Sequence, residues 1–382
     1  MGPAAGLVLA DLGAEVVHVE PPGGDATRRL RGFGTGYFPF YSRNKRSLAV
    51  DLKDDHARAA VVRLAERADV VVENFGPGTM DRLGLGYDAL SEKNRRLVYC
   101  SLKGFLPGPY ERRHAMDEVV QMMGGLAYMT GPPGQPLRAG TSVVDITGGL
   151  FGVIGILSAL HERERTGRGQ LVKAALFETT AFLMGQHMAY SALTEGPIPP
   201  MPARVSAWSI YRTFETADDD LVFIGVISEK HWARFARAFG RPDWLEDERL
   251  ASNNARIEAR DWLLPDVERV LRQFTKAEVI GRAEGAGIPF APIARPEDLF
   301  DDPQLAAGGL VSQGLPTGER ADLPRTPLDL GGLRPGLRSD PPAVGADTAA
   351  LLREAGLDDD AVARLAARGA ATVAPARDEP PA

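Results

Sequence analysis

Asp145 opens the run DITGGLFGVIGILSALHERERTGRGQ (residues 145–170), one acid ahead of more than three turns of apolar residues that close on a basic, glycine-broken tail. A carboxylate at a helix N-terminus is favoured by the dipole and the free amides, which keep it ionised at neutral pH. An ionised carboxylate can attack an acyl carbonyl. Aspartate is also a preferred helix cap, and on residue type alone the cap is the better account of Asp145. Other chemistry-bearing residues fall where strands end in polar or glycine-bearing turns: NKRS, ENFGPG, SLKGF and SVVDITGG. Ligands of open α/β sheets bind at such carboxyl ends. In SRNKRSLAVDLK, the residues Arg43, Lys45, Arg46 and Lys53 flank one strand and could grip phosphates; a solvated edge accounts for them equally well. Asn74 and Phe75 leave a strand and meet a Gly-Pro-Gly turn, which suits bringing backbone amides and an aromatic face up to a planar ligand. A structural turn alone would also explain the glycines.

Several chemistries lack their templates. There is no P-loop, no H-E-x-x-H, no paired-cysteine zinc spacing and no G-x-S-x-G elbow, and the six histidines are scattered without ligand spacing. The single Cys100, in RLVYCSLKG, reads as a small core residue and fits a reducing compartment. A net charge of −7 argues against nucleic acid and anionic membranes, which need a basic excess. No stretch is read as reaching the roughly 20 apolar residues that span a bilayer. A cytoplasmic protein with no metal and no resident cofactor is expected.

The elements that must position these residues alternate between helix and strand. GPAAGLVLADLG reads as a helix, AEVVHVE as a buried strand, and RSLAVDL, DVVVEN and RLVYCSLKG as further strands, with helices over DDHARAAVVRLAERA and YDALSEKN. Helix MDEVVQMMGGLAYM, the long helix after Asp145, strand QLVKAALFE and helix TTAFLMGQHMAYSAL complete a doubly wound parallel domain. A crossover helix normally follows a strand, yet Met1 falls just before the first helix. The expectation is a start upstream, or a sheet with an unfilled strand position. TEGPIPPMPAR breaks the pattern, and strands WSIYRTFET and LVFIGVI with helices EKHWARFARAFG and PDVERVLRQF then suggest a smaller α+β domain. The expected layout is residues 1–200, a small domain over 201–308, a return segment over 309–370 and a disordered tail over 371–382.

GPAAGLVLADLGAEVVHVEPPGGDATR, NKRSLAVDLK, VVENFGPGTMDRLGLGYDAL, RLVYCSLKGF, the Asp145 segment with HERERTGRGQ, and GIPFAPI stand in the order found in class III CoA-transferases. The resemblance covers most of the first 180 residues and part of the second domain. It implies a large Rossmann-like domain built from both chain ends, a smaller inserted domain, and two subunits linked like rings. It also implies CoA as substrate, exchanged between an acyl-CoA and a free carboxylic acid. Asp145 matches the family's catalytic nucleophile; Gly148 and Gly149 would leave room beside the acyl group. Lys45, Arg46, Lys53, Asn74 and Phe75 match positions near the CoA nucleotide. Asp117 matches an active-site acid, with His114 at a lysine position of formyl-CoA transferase; Pro21 replaces an arginine that binds CoA there.

The same family contains α-methylacyl-CoA racemases, so membership leaves the reaction open. A racemase would need a histidine directly before Asp117; Met116 stands there, and a thioether cannot shuttle protons. Transfer is therefore the preferred reading over racemisation and over a catalytically silent acyl-CoA-binding protein.

Overall fold

The computed structural model describes residues 1–204 and 206–374. Its contacts divide the chain into two units, one formed by Met1–Ala203 with Pro303–Ala382 and one by Arg204–Asp302. The larger unit starts with α1 (Gly2–Asp11), which has Pro3 in its first turn and is followed by Gly13 at φ +105°, a left-handed conformation that ends the helix. Next come β1 (Val16–Glu20), the short α2 (Tyr37–Tyr41), β2 (Lys45–Val50), α3 (Asp55–Arg67), β3 (Val70–Glu73), α4 (Thr79–Arg82), α5 (Tyr87–Lys93) and β4 (Val98–Lys103).

The expected helix over residues 116–129 is two helices, α6 (Asp117–Met123) and α7 (Leu126–Thr130). Gly125 at φ +85° breaks them, and Gly124 lies so close to Thr180 that a Cβ there would meet its Cγ2 at 2.4 Å. The long helix α8 (Val143–Thr166) is followed by β5 (Leu171–Ala175), α9 (Leu176–Leu183) and α10 (Gly185–Leu193).

Parallel pairing links β1 to β2 and joins β3, β4 and β5, as the alternating pattern implies. The single doubly wound sheet is instead divided into two three-stranded sheets, β1-β2-β11 (β11 being Ala371–Thr372, near the C-terminus) and β3-β4-β5. Among the described residues no ladder joins β1 to β3, and α1 packs against both.

Helix α8 is the spine of the second sheet. Val144, Val153, Ile156 and Ala159 bury against Val98, Cys100 and Leu102 of β4, while Leu150, Ile154 and Leu157 stay exposed. Burial pushes the Cys100 thiol up to about 12, with the Glu73 charge adding to the effect, so this cysteine is a core residue. The expectation of no membrane-length run needs correction: by length and composition α8 is long and apolar enough to cross a bilayer. Its four glycines, at 148, 149, 152 and 155, interrupt the apolar run as read from sequence. Here it lies against α1, α9, β4 and β5.

The smaller unit holds the antiparallel order β6-β7-β8, with β6 (Ile210–Glu215), β7 (Leu221–Val226) and β8 (Phe290–Pro292). Helices α11 (Glu229–Ala238), α12 (Asn253–Glu258), α13 (Arg260–Leu271) and α14 (Lys276–Gly285) belong to it. Its core is centred on the stacked rings of Trp232, Phe235 and Trp244.

The chain rejoins the larger unit at Pro303, earlier than the expected 309, and adds α15 (Pro303–Ala306), a hairpin of β9 (Leu310–Gly314) and β10 (Arg320–Pro324), α16 (Thr348–Glu354), α17 (Asp359–Ala367) and β11 (Ala371–Thr372). The last of these corrects the expected tail, because Ala371 and Thr372 pair antiparallel with β2 and Ala371 is buried. Residues 375–382 of that tail lie outside the described residues.

Candidate active site

Asp145 is the third residue of α8 rather than its cap. Ser142 holds the cap position without a side-chain cap bond. The cap comes from another helix: Asp117, the first residue of α6, accepts the amides of Val144 and Asp145 on Oδ2, each at 2.9 Å. Its Oδ1 accepts from Gln121 Nε2, and Gln121 Oε1 in turn accepts the Ala139 amide at 2.8 Å. Asp117 is 7% exposed and Gln121 fully buried. Asp117, expected as an active-site acid, thus turns its oxygens onto Gln121 and onto the backbone that carries Asp145. A buried anion needs such donors, and two orphan amides of a helix N-terminus supply them.

The consequence for Asp145 is electrostatic. The free amides expected to hold its carboxylate are occupied by Asp117. Asp145 keeps a side chain 30% exposed, with one hydrogen bond, from the Met1 ammonium to Oδ1 at 2.8 Å. Among the described residues no donor reaches Oδ2, so a lone-pair face remains available for attack.

Sequence reading missed the two tyrosines of α2. Burial raises the phenol of Tyr37, and the negative charge of Asp145 raises it further. Tyr41 is raised by burial, then by the charges of Asp145 and Asp117. Both therefore stay neutral hydroxyl donors beside the carboxylates. Their rings meet at 4.8 Å. α2 is pinned from β1: Glu20 takes Arg28 in a bidentate pair at 2.7 and 2.6 Å, and the Arg28 guanidinium lies 3.8 Å over the Phe38 ring. Burial opposes ionisation of Glu20, but hydrogen bonds from Arg28 and Ser47 prevail and hold its carboxyl below the usual range.

Gly148 and Gly149, expected beside the acyl group, allow close helix packing. A Cβ on Gly148 would stand 2.6 Å from Met1 Sδ, and one on Gly149 2.8 Å from the Met1 carbonyl and 3.2 Å from Ala4 Cβ. They let α1 approach α8. His114 is exposed in the loop before α6 and hydrogen-bonds to neither aspartate.

The basic run divides. Arg43, 1% exposed, pairs with buried Asp11 at 2.7 Å. Lys45 is also buried; its Nζ donates to the Pro3 carbonyl at 3.2 Å, and burial pulls its ammonium down to about 8. Arg46 is held by Glu15, Glu354 and Asp347. These positions lie at the amino end of β2, and all three cations are engaged by partners within the protein. Lys53 lies beyond that carboxyl end and is exposed, with no side-chain partner among the described residues. Asn74 and Phe75 are exposed just after β3. A Cβ on Gly2 would lie 3.1 Å from the Asn74 amide, so Asn74 and Asp145 converge on the first turn of α1.

The family model described as CoA-transferase family III matches residues 1–348. The chain belongs to CoA-transferase family III. This transferase is 34% identical to a succinyl-CoA:mesaconate CoA-transferase from Haloarcula hispanica, over 93% of each chain. It is 36% identical to an acetyl-CoA:oxalate CoA-transferase from Acetobacter aceti, covering 82% of this chain and 84% of that protein. Among solved structures, a CaiB/BaiF family protein from Brucella suis superposes with a TM-score of 0.82 at 32% identity, covering 92% of this chain and 95% of that one. The transferase moves CoA from an acyl-CoA to a carboxylic acid.

Proposed function

We propose that Asp145 carries the transferred group in two covalent forms. One of its carboxylate oxygens attacks the thioester carbonyl; the C–S bond breaks, CoA leaves as thiolate, and an aspartyl anhydride remains. The thiolate then attacks the Asp145 carbonyl of that anhydride, releasing the donor acid and leaving an aspartyl-CoA thioester. The acceptor carboxylate reverses the sequence: it displaces thiolate to form a new anhydride, and thiolate attacks its acyl carbonyl to release product and regenerate Asp145. No net proton is consumed, and no cofactor beyond the CoA being exchanged enters the balance.

The observation that carries this reading is the division of labour between Asp117 and Asp145. Amide donors would stabilise a carboxylate and blunt its attack; here they are bound to Asp117. Neutral Tyr37 and Tyr41 are available to orient the carboxylate or the acyl oxygen. We place CoA along Lys53, Asn74 and Phe75 at the carboxyl ends of β2 and β3, where the sheet presents its strand ends.

The relatives named above act on mesaconate and oxalate, and a mouse relative 31% identical is a succinyl-CoA:glutarate CoA-transferase. A short dicarboxylic acid is the acceptor class this supports. We further infer an interlinked homodimer in the cytoplasm, the dimer on the family resemblance and the compartment on composition and the single cysteine. Succinyl-CoA, acetyl-CoA and formyl-CoA incubated against a panel of mono- and dicarboxylic acids, read by mass spectrometry, test the substrates. Wild-type protein mixed with acyl-CoA alone is expected to yield an Asp145 hydroxamate after hydroxylamine. Absence of that adduct during active turnover would remove Asp145 from the mechanism. A monomer by analytical ultracentrifugation at micromolar concentration would remove the dimer.

A further inference from the structure

The turn that carries Phe75 is held from beneath by a part-buried ion pair. Glu73, the last residue of β3, is 5% exposed. Its Oε1 accepts the Ser101 hydroxyl at 2.6 Å, and its Oε2 accepts the amide of Phe75 at 2.9 Å. Lys103, the last residue of β4, donates from Nζ to Glu73 at 2.7 Å and to the Phe75 carbonyl, also at 2.7 Å. The amide and the carbonyl of one residue are thus both fastened to a single acid–base pair. That pair sits at the adjacent ends of two parallel strands whose register sets Glu73 opposite Ser101.

Beyond Phe75 the turn is closed by the Thr79 amide donating to the Gly76 carbonyl at 3.2 Å. Gly76, Pro77 and Gly78 form the turn, with Gly78 at φ +73°, and a Cβ at Gly76 would meet nothing within 4 Å. Beneath it lies a cavity of about 220 Å³, lined among others by Glu73, Pro77, Gly78, Ser101 and Lys103. A turn over a hollow can sink or swing unless something fixes its base. The Phe75 ring is 47% exposed, and the backbone that carries it is tied at both its amide and its carbonyl to Glu73 and Lys103.

We propose that Lys103 and Glu73 are positioning residues for CoA: they preset the Phe75 turn, so that their loss weakens CoA binding without touching the acyl-transfer step. The inference rests on the proposal that Asn74 and Phe75 contact CoA. Lys103 does not itself reach the ligand, because its three donors face Glu73 and the Phe75 carbonyl. A lysine fits this task better than a shorter donor: it spans from one strand end to the next, and its ammonium also neutralises an acid that would otherwise be buried alone.

The test is a double-variant cycle on the full-length protein, read by calorimetric titration with CoA and by steady-state kinetics with succinyl-CoA or whichever donor the panel identifies. Lys103→Met is expected to raise Kd for CoA and KM for the donor by about tenfold, the scale on which a misplaced contact weakens a site, with kcat within about twofold of wild type. Lys103→Arg is expected to recover most of the affinity. Ser101→Ala, which loosens Glu73 by one hydrogen bond, is the milder variant should Lys103→Met not fold, and is expected to raise Kd by about two- to threefold.

In a Phe75→Ala background the Lys103→Met change is expected to add nothing, because the contact it positions is gone. Additive losses, or an unchanged Kd in folded Lys103→Met or Ser101→Ala protein, overturn the positioning role. An unchanged Kd in Phe75→Ala alone overturns instead the placement of CoA on this turn, which keeps the two failures apart.

Discussion

Two aspartates meet at one helix end and do opposite things. Asp117 starts α6 with a buried carboxylate bound to two amides and a glutamine; Asp145 stands in the first turn of α8 with a part-exposed carboxylate and one hydrogen bond. The difference shows that an acid's chemistry is decided by which donors its neighbour has already occupied. The bases repeat the contrast: Lys45 is buried under α1, whereas Lys53, beyond the far end of the same strand, is free in solvent.

The largest expected effect separates the two acids by function. Asp145→Asn should fold, losing about 1 kcal/mol or less because its ion pair is part-exposed, yet lower transfer by about four orders of magnitude or more, with CoA binding intact. Near-normal transfer, once reversion of the amide to Asp is excluded by mass, would return Asp145 to a structural role. Asp117→Asn is the smaller counterpart. An amide accepting from Val144 and Asp145 would turn its NH₂ against Gln121, setting donor against donor at a cost of about 1–3 kcal/mol in denaturant unfolding. Activity should fall with the loosened α8 start by about tenfold or more, since small displacements at a reacting centre are costly. Adding Gln121→Glu restores complementary donors and should recover both readouts; no recovery would sever Gln121 from the cap.

Among the bases, Lys45→Met should stabilise the protein by up to about 3 kcal/mol at neutral pH, measured by denaturant unfolding. The sign follows from the lowered ammonium, about 8 when folded against 10.5 in the unfolded chain. Below pH 8 burial holds a charge at a cost. Between about pH 8 and 10.5 the unfolded chain binds more protons, so wild-type stability climbs and the advantage of methionine shrinks. An advantage independent of pH would show that packing rather than charge burial sets it. The smallest effect is none at all: no enzyme-dependent deuterium should enter the α-carbon of a 2-methylacyl-CoA. Met116, 72% exposed at the cap of α6, offers no acid or base beside Asp117. Rapid labelling would favour racemisation.

Much of the fold was legible because its signals are local. Alternating apolar strands and capped helices placed β1 to β5 within a few residues, and Pro3 and Gly13 marked the ends of α1. The division of the sheet was not legible, because strand-to-strand pairing is set by contacts far apart in the chain, and β11 was hidden in a proline-rich end whose composition resembles disorder. The break at Gly124–Gly125 was missed because apolar residues continue across it, while the obstacle, Thr180, lies on another helix. Within the site, the spacing of Asp117 and Gln121 could have been read from DEVVQ, since residues four apart share a helix face.

By itself the sequence determined the order of elements, the family, and the presence of an acid in the first turn of a long apolar helix, since these depend on residue type and near-neighbour spacing. Tertiary structure alone decided which charges are free. It turned Arg43, Lys45 and Arg46 into internal partners, gave Gly148 and Gly149 to the contact with α1, and assigned the helix amides to Asp117 rather than Asp145. Charge and hydrogen-bond partners come from residues far apart in the chain, and a carboxylate looks the same in sequence whether its donors are beside it or elsewhere.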